Sequence, residues 1–139
     1  MYLPSRLRHL ATITGTKART ISTHIYVVQC NEFIKVGIAS NVSLRLSELQ
    51  VGNPYPIQLI GHWAALDAIK EEEMIHSHLG PYRVRGEWFK LPKSLMDNIC
   101  MKMPGYELAQ WIMPHEQFVA LRPQLWRNNA SAYLSERCK

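Results

Sequence analysis

Residues 24–39, HIYVVQCNEFIKVGIA, decide the architecture of this chain. HIYVVQC and FIKVGIA are both rich in β-branched and aromatic residues, and only the polar pair Asn31-Glu32 separates them. Two such runs joined by two polar residues predict an antiparallel hairpin. A two-residue loop pairs Cys30 with Phe33, and hence Tyr26 with Gly37 and Val28 with Lys35. Tyr26 and Lys35 then share one face, and Gly37 leaves open space beside the tyrosine ring. One bulged residue would move Lys35 to the opposite face.

Downstream, SNVSLRLSELQVG predicts a helix with Ser40 or Asn41 as N-cap, Gly52 as stop, and Val42, Leu46 and Leu49 on one face. NPYP (53–56) is a loop, and IQLIGHWAAL reads as a third strand interrupted at Gly61. Asp67 caps a second helix that runs to Leu79 and ends at Gly80-Pro81. GEWFKL is a short apolar segment after a basic turn, and KSLMDNICMKM predicts a further helix. From Pro104 the pattern loosens, with Pro114 and Pro123 expected to break any long element. The expected fold is therefore α+β, a small antiparallel sheet of about three strands flanked by helices, with a mostly helical C-terminal extension. The division is a basic arm at 1–22, a core domain at 23–103 and an extension at 104–139. In the extension Trp111, Phe118, Trp126 and Tyr133 call for burial on the core or on a second copy of the chain, so a homodimer is one expectation.

Length and composition set limits around this frame. With 139 residues, 47% of them hydrophobic, the chain suits one domain with its own core. No apolar run approaches the roughly 18 residues of a membrane span, so no membrane partner is expected. Lys and Arg number 16 against 11 Asp and Glu, giving +5 and a pI near 9.3, which favours a polyanionic partner such as nucleic acid. Cys30, Cys100 and Cys138 are too scattered for a disulfide scaffold, so an intracellular, cytoplasmic setting is the expectation. The stretch before Glu32 has no acidic residue. It reads as a basic arm touching phosphates, a solvated tail or an organelle transit peptide.

Three features stand out against their local patterns. In the second helix Ala68, Ile69, Ile75 and Leu79 form an apolar stripe, Glu72 sits in its middle, and His76 lies one turn further on. Glu71 and Glu73 are expected at the flanks as solvated carboxylates. A carboxylate on a buried face needs a cationic partner or a metal. Lys35 and Tyr26 share a sheet face, and Arg45 lies at the shoulder of the first helix's stripe, where it either snorkels or enters a cleft. Arg83, Arg85, Lys90 and Lys93 surround GEWF as a candidate grip on nucleic-acid phosphates or a solvated face. Glu87 reads as a supporting group, and Trp88 and Phe89 as core anchors. His76 and His78 diverge on a helix and make no zinc pair, and no P-loop or dinucleotide glycine motif is present.

Together these residues resemble the GIY-YIG nuclease superfamily, over about residues 23–91. His24-Ile25-Tyr26 stands where that family has GIY, Lys35-Val36-Gly37 where it has YIG, and Arg45 and Glu72 at its helix arginine and metal-binding glutamate. The closer similarity is to the phage-type branch, with a K-[IV]-G, an E-x-x-x-H helix (Glu72, His76) and a GEWF close (Gly86 to Phe89). Gly37 and Trp88 are its structural positions. His24 replaces the GIY glycine, Lys35 the second tyrosine and Leu49 a common histidine, while the asparagine that often follows is not evident.

The resemblance implies one-metal hydrolysis of DNA phosphodiesters, with Glu72 holding Mg²⁺ or Mn²⁺. It implies that Arg45 and Lys35 stabilise phosphoryl charge. Tyr26 would serve as base if Lys35 and Arg45 lower its pKa, and His76 is the other candidate base or a group orienting the metal ligand. A nucleic-acid-binding module of the same fold without activity, or an assembly role of the aromatic extension, are the alternatives.

Overall fold

The structure, a computed structural model, describes residues 22–99 and 102–137, with side chains through Asn129. The basic arm through residue 21, Cys100, Cys138 and the Tyr133 side chain lie outside the described residues. Strands β1 (His24–Cys30) and β2 (Phe33–Ala39) form the hairpin. Tyr26 pairs with Gly37 and Val28 with Lys35, the register of a two-residue turn. Asn31 supplies the left-handed φ of 55° that this turn needs, which asparagine tolerates better than most residues.

Asn41 caps α1 (Val42–Val51) by accepting from the Leu44 amide at 3.0 Å, and Gly52 ends it. None of its residues is buried. Strand β3 (Gln58–Ala64) pairs with β1, and the interruption expected at Gly61 is a bulge that leaves Ile60 as the extra residue. Helix α2 (Ala68–His78) is capped by Asp67. After a 3₁₀ turn at Gly80–Tyr82 come two short strands, β4 (Arg83–Arg85) and β5 (Trp88–Phe89). The described sheet is thus five-stranded, in order β3-β1-β2-β5-β4, with every pairing antiparallel. The α+β class holds, and β4 and β5 are the strands missing from the sequence reading. They are too short to show an alternation of their own.

The helix expected over residues 93–103 shrinks to α3 (Lys93–Met96). Lys102 adopts a φ of 57° and the Met103 amide donates to the Ile60 carbonyl at 2.8 Å, so the chain here runs along the sheet edge. Helix α4 (Gly105–Ile112) and helix α5 (His115–Arg137) follow. Pro114 separates them, but Pro123 lies inside α5 and does not break it, contrary to the sequence reading. Proline forfeits one amide bond to the carbonyl four residues earlier, here Val119. Both residues are exposed, so water can take that carbonyl.

Ile25, Val27, Ile34, Val36 and Ile38 enter one core with Ile60, Trp63, Ile75, Leu79 and Phe89. Leu108, Ile112, Phe118 and Leu125 of the extension belong to that core. Gly105 lets α4 settle on β3: a Cβ there would lie 2.8 Å from the His62 carbonyl carbon. Asn129 closes the edge, accepting from the Ala64 amide at 2.7 Å and donating to its carbonyl at 3.1 Å. Phe118 is buried, whereas Trp111 and Trp126 keep about two-fifths of their surface exposed, 40% and 38%. Among the described residues no helix is long and apolar enough to cross a membrane.

Candidate functional site

Strand pleating turns Tyr26, Val28, Lys35 and Gly37 away from the main core, yet all four are buried. The Tyr26 ring lies over Gly37, where a Cβ would stand 2.6 Å from Cζ. Lys35, 4% exposed, donates from Nζ to Glu87 Oε1 at 2.6 Å, a buried ion pair. Glu87 occupies the two-residue turn between β4 and β5, where Gly86 supplies the positive φ of 56° and Arg83 Nη1 donates to the Gly86 carbonyl at 3.0 Å. A glycine is what such a turn requires, so GE within RVRGEWF aims this carboxylate.

Helix α1 brings Arg45 beside the tyrosine. Arg45 Nη1 donates to Glu48 at 3.2 Å, while its Nε and the Tyr26 hydroxyl are buried with no hydrogen-bond partner among the described residues. The guanidinium is close enough to the hydroxyl to favour the phenolate. Burial dominates and pushes the Tyr26 phenol up to about 12. Arg45 opposes that shift, and the Glu87 and Glu72 carboxylates add to it. Arg45 supplies part of the lowering that a tyrosine base would need, and desolvation outweighs it.

Helix α2 supplies the remaining groups from its stripe. Glu72 is 3% exposed, and His76 Nε2 lies 2.8 Å from the Val36 carbonyl. β5 pairs with β2 only at Ile34 and Lys35, so the Val36 carbonyl lies beyond the end of that pairing and is open to the imidazole. A carbonyl only accepts, so Nε2 carries the proton and the neutral ring keeps its lone pair on Nδ1. Burial lowers the His76 pKa first. The Val36 bond and Glu87 oppose that, and Arg83 and Lys35 reinforce it. Glu72, His76 and Glu87 each offer a donor atom within 4.8 Å of the other two.

The neighbouring Glu71 departs from expectation. It is 1% exposed, accepting from the Leu66 and Asp67 amides at 2.8 and 2.9 Å and from Trp63 Nε1 at 3.3 Å. The unbonded amides at the start of a helix draw this carboxylate inward, an effect the apolar stripe does not register. Burial raises its pKa and those donors oppose the shift. Glu73 is exposed.

Tyr26, Lys35, Arg45, Glu72 and His76 thus lie around one another, and Glu87 joins them, accepting from Lys35 and standing within 4.8 Å of a donor atom of Glu72 and of His76. Arg83 flanks the group, 5.4 Å from the Phe89 ring centroid and felt by His76. Arg85 is exposed, Lys93 lies on α3, and Lys90 pairs with Glu32 at 3.2 Å by the β1–β2 turn. Trp88 is half-buried beside Lys35, so of the two expected core anchors only Phe89 enters the core. A second pair escaped the sequence reading: His24 and His62, on the face that carries Tyr26, approach Nδ1 to Nδ1 at 2.9 Å. The period-two alternation with Tyr26 was the only available signal for His24.

Fold and site together define an α+β domain that gathers a Glu-His-Glu donor group beside a tyrosine, an arginine and a lysine. The T5orf172 domain matches residues 23–103, more than half of the chain, and the chain belongs to that family. It is a phage-associated domain related to nuclease-like folds. The matched segment runs from β1 through α3 and contains the whole residue group. No curated protein and no solved structure matches the chain.

Proposed function

We propose that the chain is a metal-dependent nuclease that hydrolyses DNA phosphodiester bonds at a site organised like that of the GIY-YIG enzymes. The observation that supports this most is the meeting of Tyr26, Lys35, Arg45, Glu72 and His76, which come from four separate elements. Membership of a family related to nuclease-like folds points the same way.

Each residue has a chemical task. Arg45, with its Nε unengaged, donates to a non-bridging phosphoryl oxygen and stabilises the charge that builds there. Tyr26, its pKa near 12, stays protonated at neutral pH and acts as a second donor to the phosphate rather than as a base. Lys35 holds its charge in place on Glu87. Glu72 holds the divalent metal, Mg²⁺ or Mn²⁺, and the donor atoms around it fit such an ion: carboxylate oxygens and an imidazole nitrogen, close together and largely buried. When bound, the metal supplies charge opposite the scissile phosphate and lowers the pKa of water. Arg83 and Arg85, exposed on β4, grip the DNA backbone, with Lys90 and Lys93 further out.

The test is incubation with plasmid and single-stranded DNA in Mg²⁺ or Mn²⁺ beside Glu72→Ala. Wild type should nick or cut and the variant should not. Equal cleavage by both would point to contamination and overturn the proposal. The protonated Tyr26 favours a second reading, a binding module without activity, and retention of DNA without cleavage in either metal would establish it.

A further inference from the structure

We infer that Glu72, His76 and Glu87 form a three-donor metal centre whose imidazole nitrogen selects Mn²⁺-like transition metals over Mg²⁺. This rests on the metal dependence proposed above and goes beyond a single carboxylate ligand. The donors come from α2 and from the β4–β5 turn and already stand within 4.8 Å of one another. Around an ion bound at about 2.1 Å, neighbouring donors stand about 3.0–3.4 Å apart, so closure asks for side-chain shifts that bring the three together.

A second observation identifies His76 as a ligand. Metal-binding histidines characteristically donate their other ring nitrogen to a carbonyl or carboxylate, which fixes the tautomer and turns the lone pair to the ion. His76 donates Nε2 to the Val36 carbonyl at 2.8 Å, which leaves Nδ1 for coordination. Lys35 fits the same scheme. Two carboxyl groups and an imidazole stand beside the Lys35 ammonium, with Arg45 and Arg83 close by, and a divalent ion adds positive charge there that attracts a phosphodiester. The Lys35–Glu87 pair keeps Glu87 compensated when no ion is bound.

Selectivity follows from donor chemistry. Mg²⁺ prefers oxygen and keeps its waters, whereas imidazole nitrogen favours Mn²⁺ and the metals after it in the Irving–Williams order. With Nδ1 on the metal, His76 is not the proton acceptor of the reaction.

The test is metal binding to the full chain without nucleic acid, following the paramagnetic resonance of free Mn²⁺ and reading Mg²⁺ by competition. Mn²⁺ should bind about tenfold or more tightly than Mg²⁺. His76→Ala should cut Mn²⁺ affinity about tenfold while changing Mg²⁺ affinity less than about threefold. Electron spin-echo modulation from a bound nitrogen should be present in the Mn²⁺-loaded wild type and absent in His76→Ala. Absence of nitrogen modulation in wild type overturns the inference even if the variant folds poorly, and so does an unchanged Mn²⁺/Mg²⁺ ratio in a folded variant. A nitrogen signal without DNA cleavage would break the proposed nuclease and leave the centre standing. Mg²⁺-supported cleavage without a nitrogen signal would do the reverse.

Discussion

The two faces of the β1–β2 hairpin are equally dry and differ in everything else. On one, Ile25, Val27, Ile34, Val36 and Ile38 meet Ile75, Leu79 and Phe89, side chains with no polar atom to satisfy. On the other, Tyr26 and Lys35 are buried at 0% and 4% exposure, ringed by Arg45, Glu72, His76 and Glu87. The first face stabilises by removing apolar area from water. The second desolvates charged groups, a cost only partly offset by ion pairing, and stability alone would replace them with aliphatics. In the proposed nuclease the same strands would separate folding from function by alternation, one residue apart.

Substitutions on each face should move different observables. The largest effect is expected for Arg45→Ala: DNA cleavage should fall about 10²- to 10³-fold, with the melting temperature nearly unchanged. α1 buries no residue and the Arg45–Glu48 pair is a helix-surface contact worth little. Ile25→Ala should do the opposite, lowering stability by about 3 kcal/mol in urea titration and leaving cleavage per folded molecule unchanged. If Ile25→Ala slowed cleavage by the folded protein, the two faces would not be independent.

Gly37→Ala probes the seam between them. Its methyl group would collide with the Tyr26 ring, so a loss of about 1–3 kcal/mol should accompany a loss of cleavage. The smallest effect concerns Tyr26. Its folded pKa, about 12, lies above the ordinary 10.0, so folding favours the protonated phenol. That contribution is complete below pH 10 and is lost as pH rises toward 12. Metal-free wild type should lose stability more steeply than Tyr26→Phe across that window, and parallel profiles would remove the shift.

The hairpin, its register and both helix caps were legible because each depends on local rules: β-branched runs, a two-residue polar loop, Asn41 and Asp67 before periodic segments. Glu72 was legible as a carboxylate out of pattern. Glu71 was not, since its burial depends on Trp63 Nε1 and on amides that α2 and its approach present together. The two-residue β5 and the early end of α3 also escaped. The first is held by β2, and the helix is cut short where Met103 joins Ile60. Pro123 was read as a break because the local rule weighs the lost bond and not the exposure of the freed carbonyl.

The sequence by itself determined which residues face the same way: Tyr26 with Lys35 on a sheet, and Glu72 with His76 on a helix. The second follows from the helical period, and the first from strand alternation together with the register that a two-residue loop sets. Only the tertiary structure decided that the two pairs meet, that Glu87 is drawn in beside them, and that burial drives the Tyr26 pKa up despite Arg45. Distances across elements, and the removal of water around a charge, depend on packing that no local window contains.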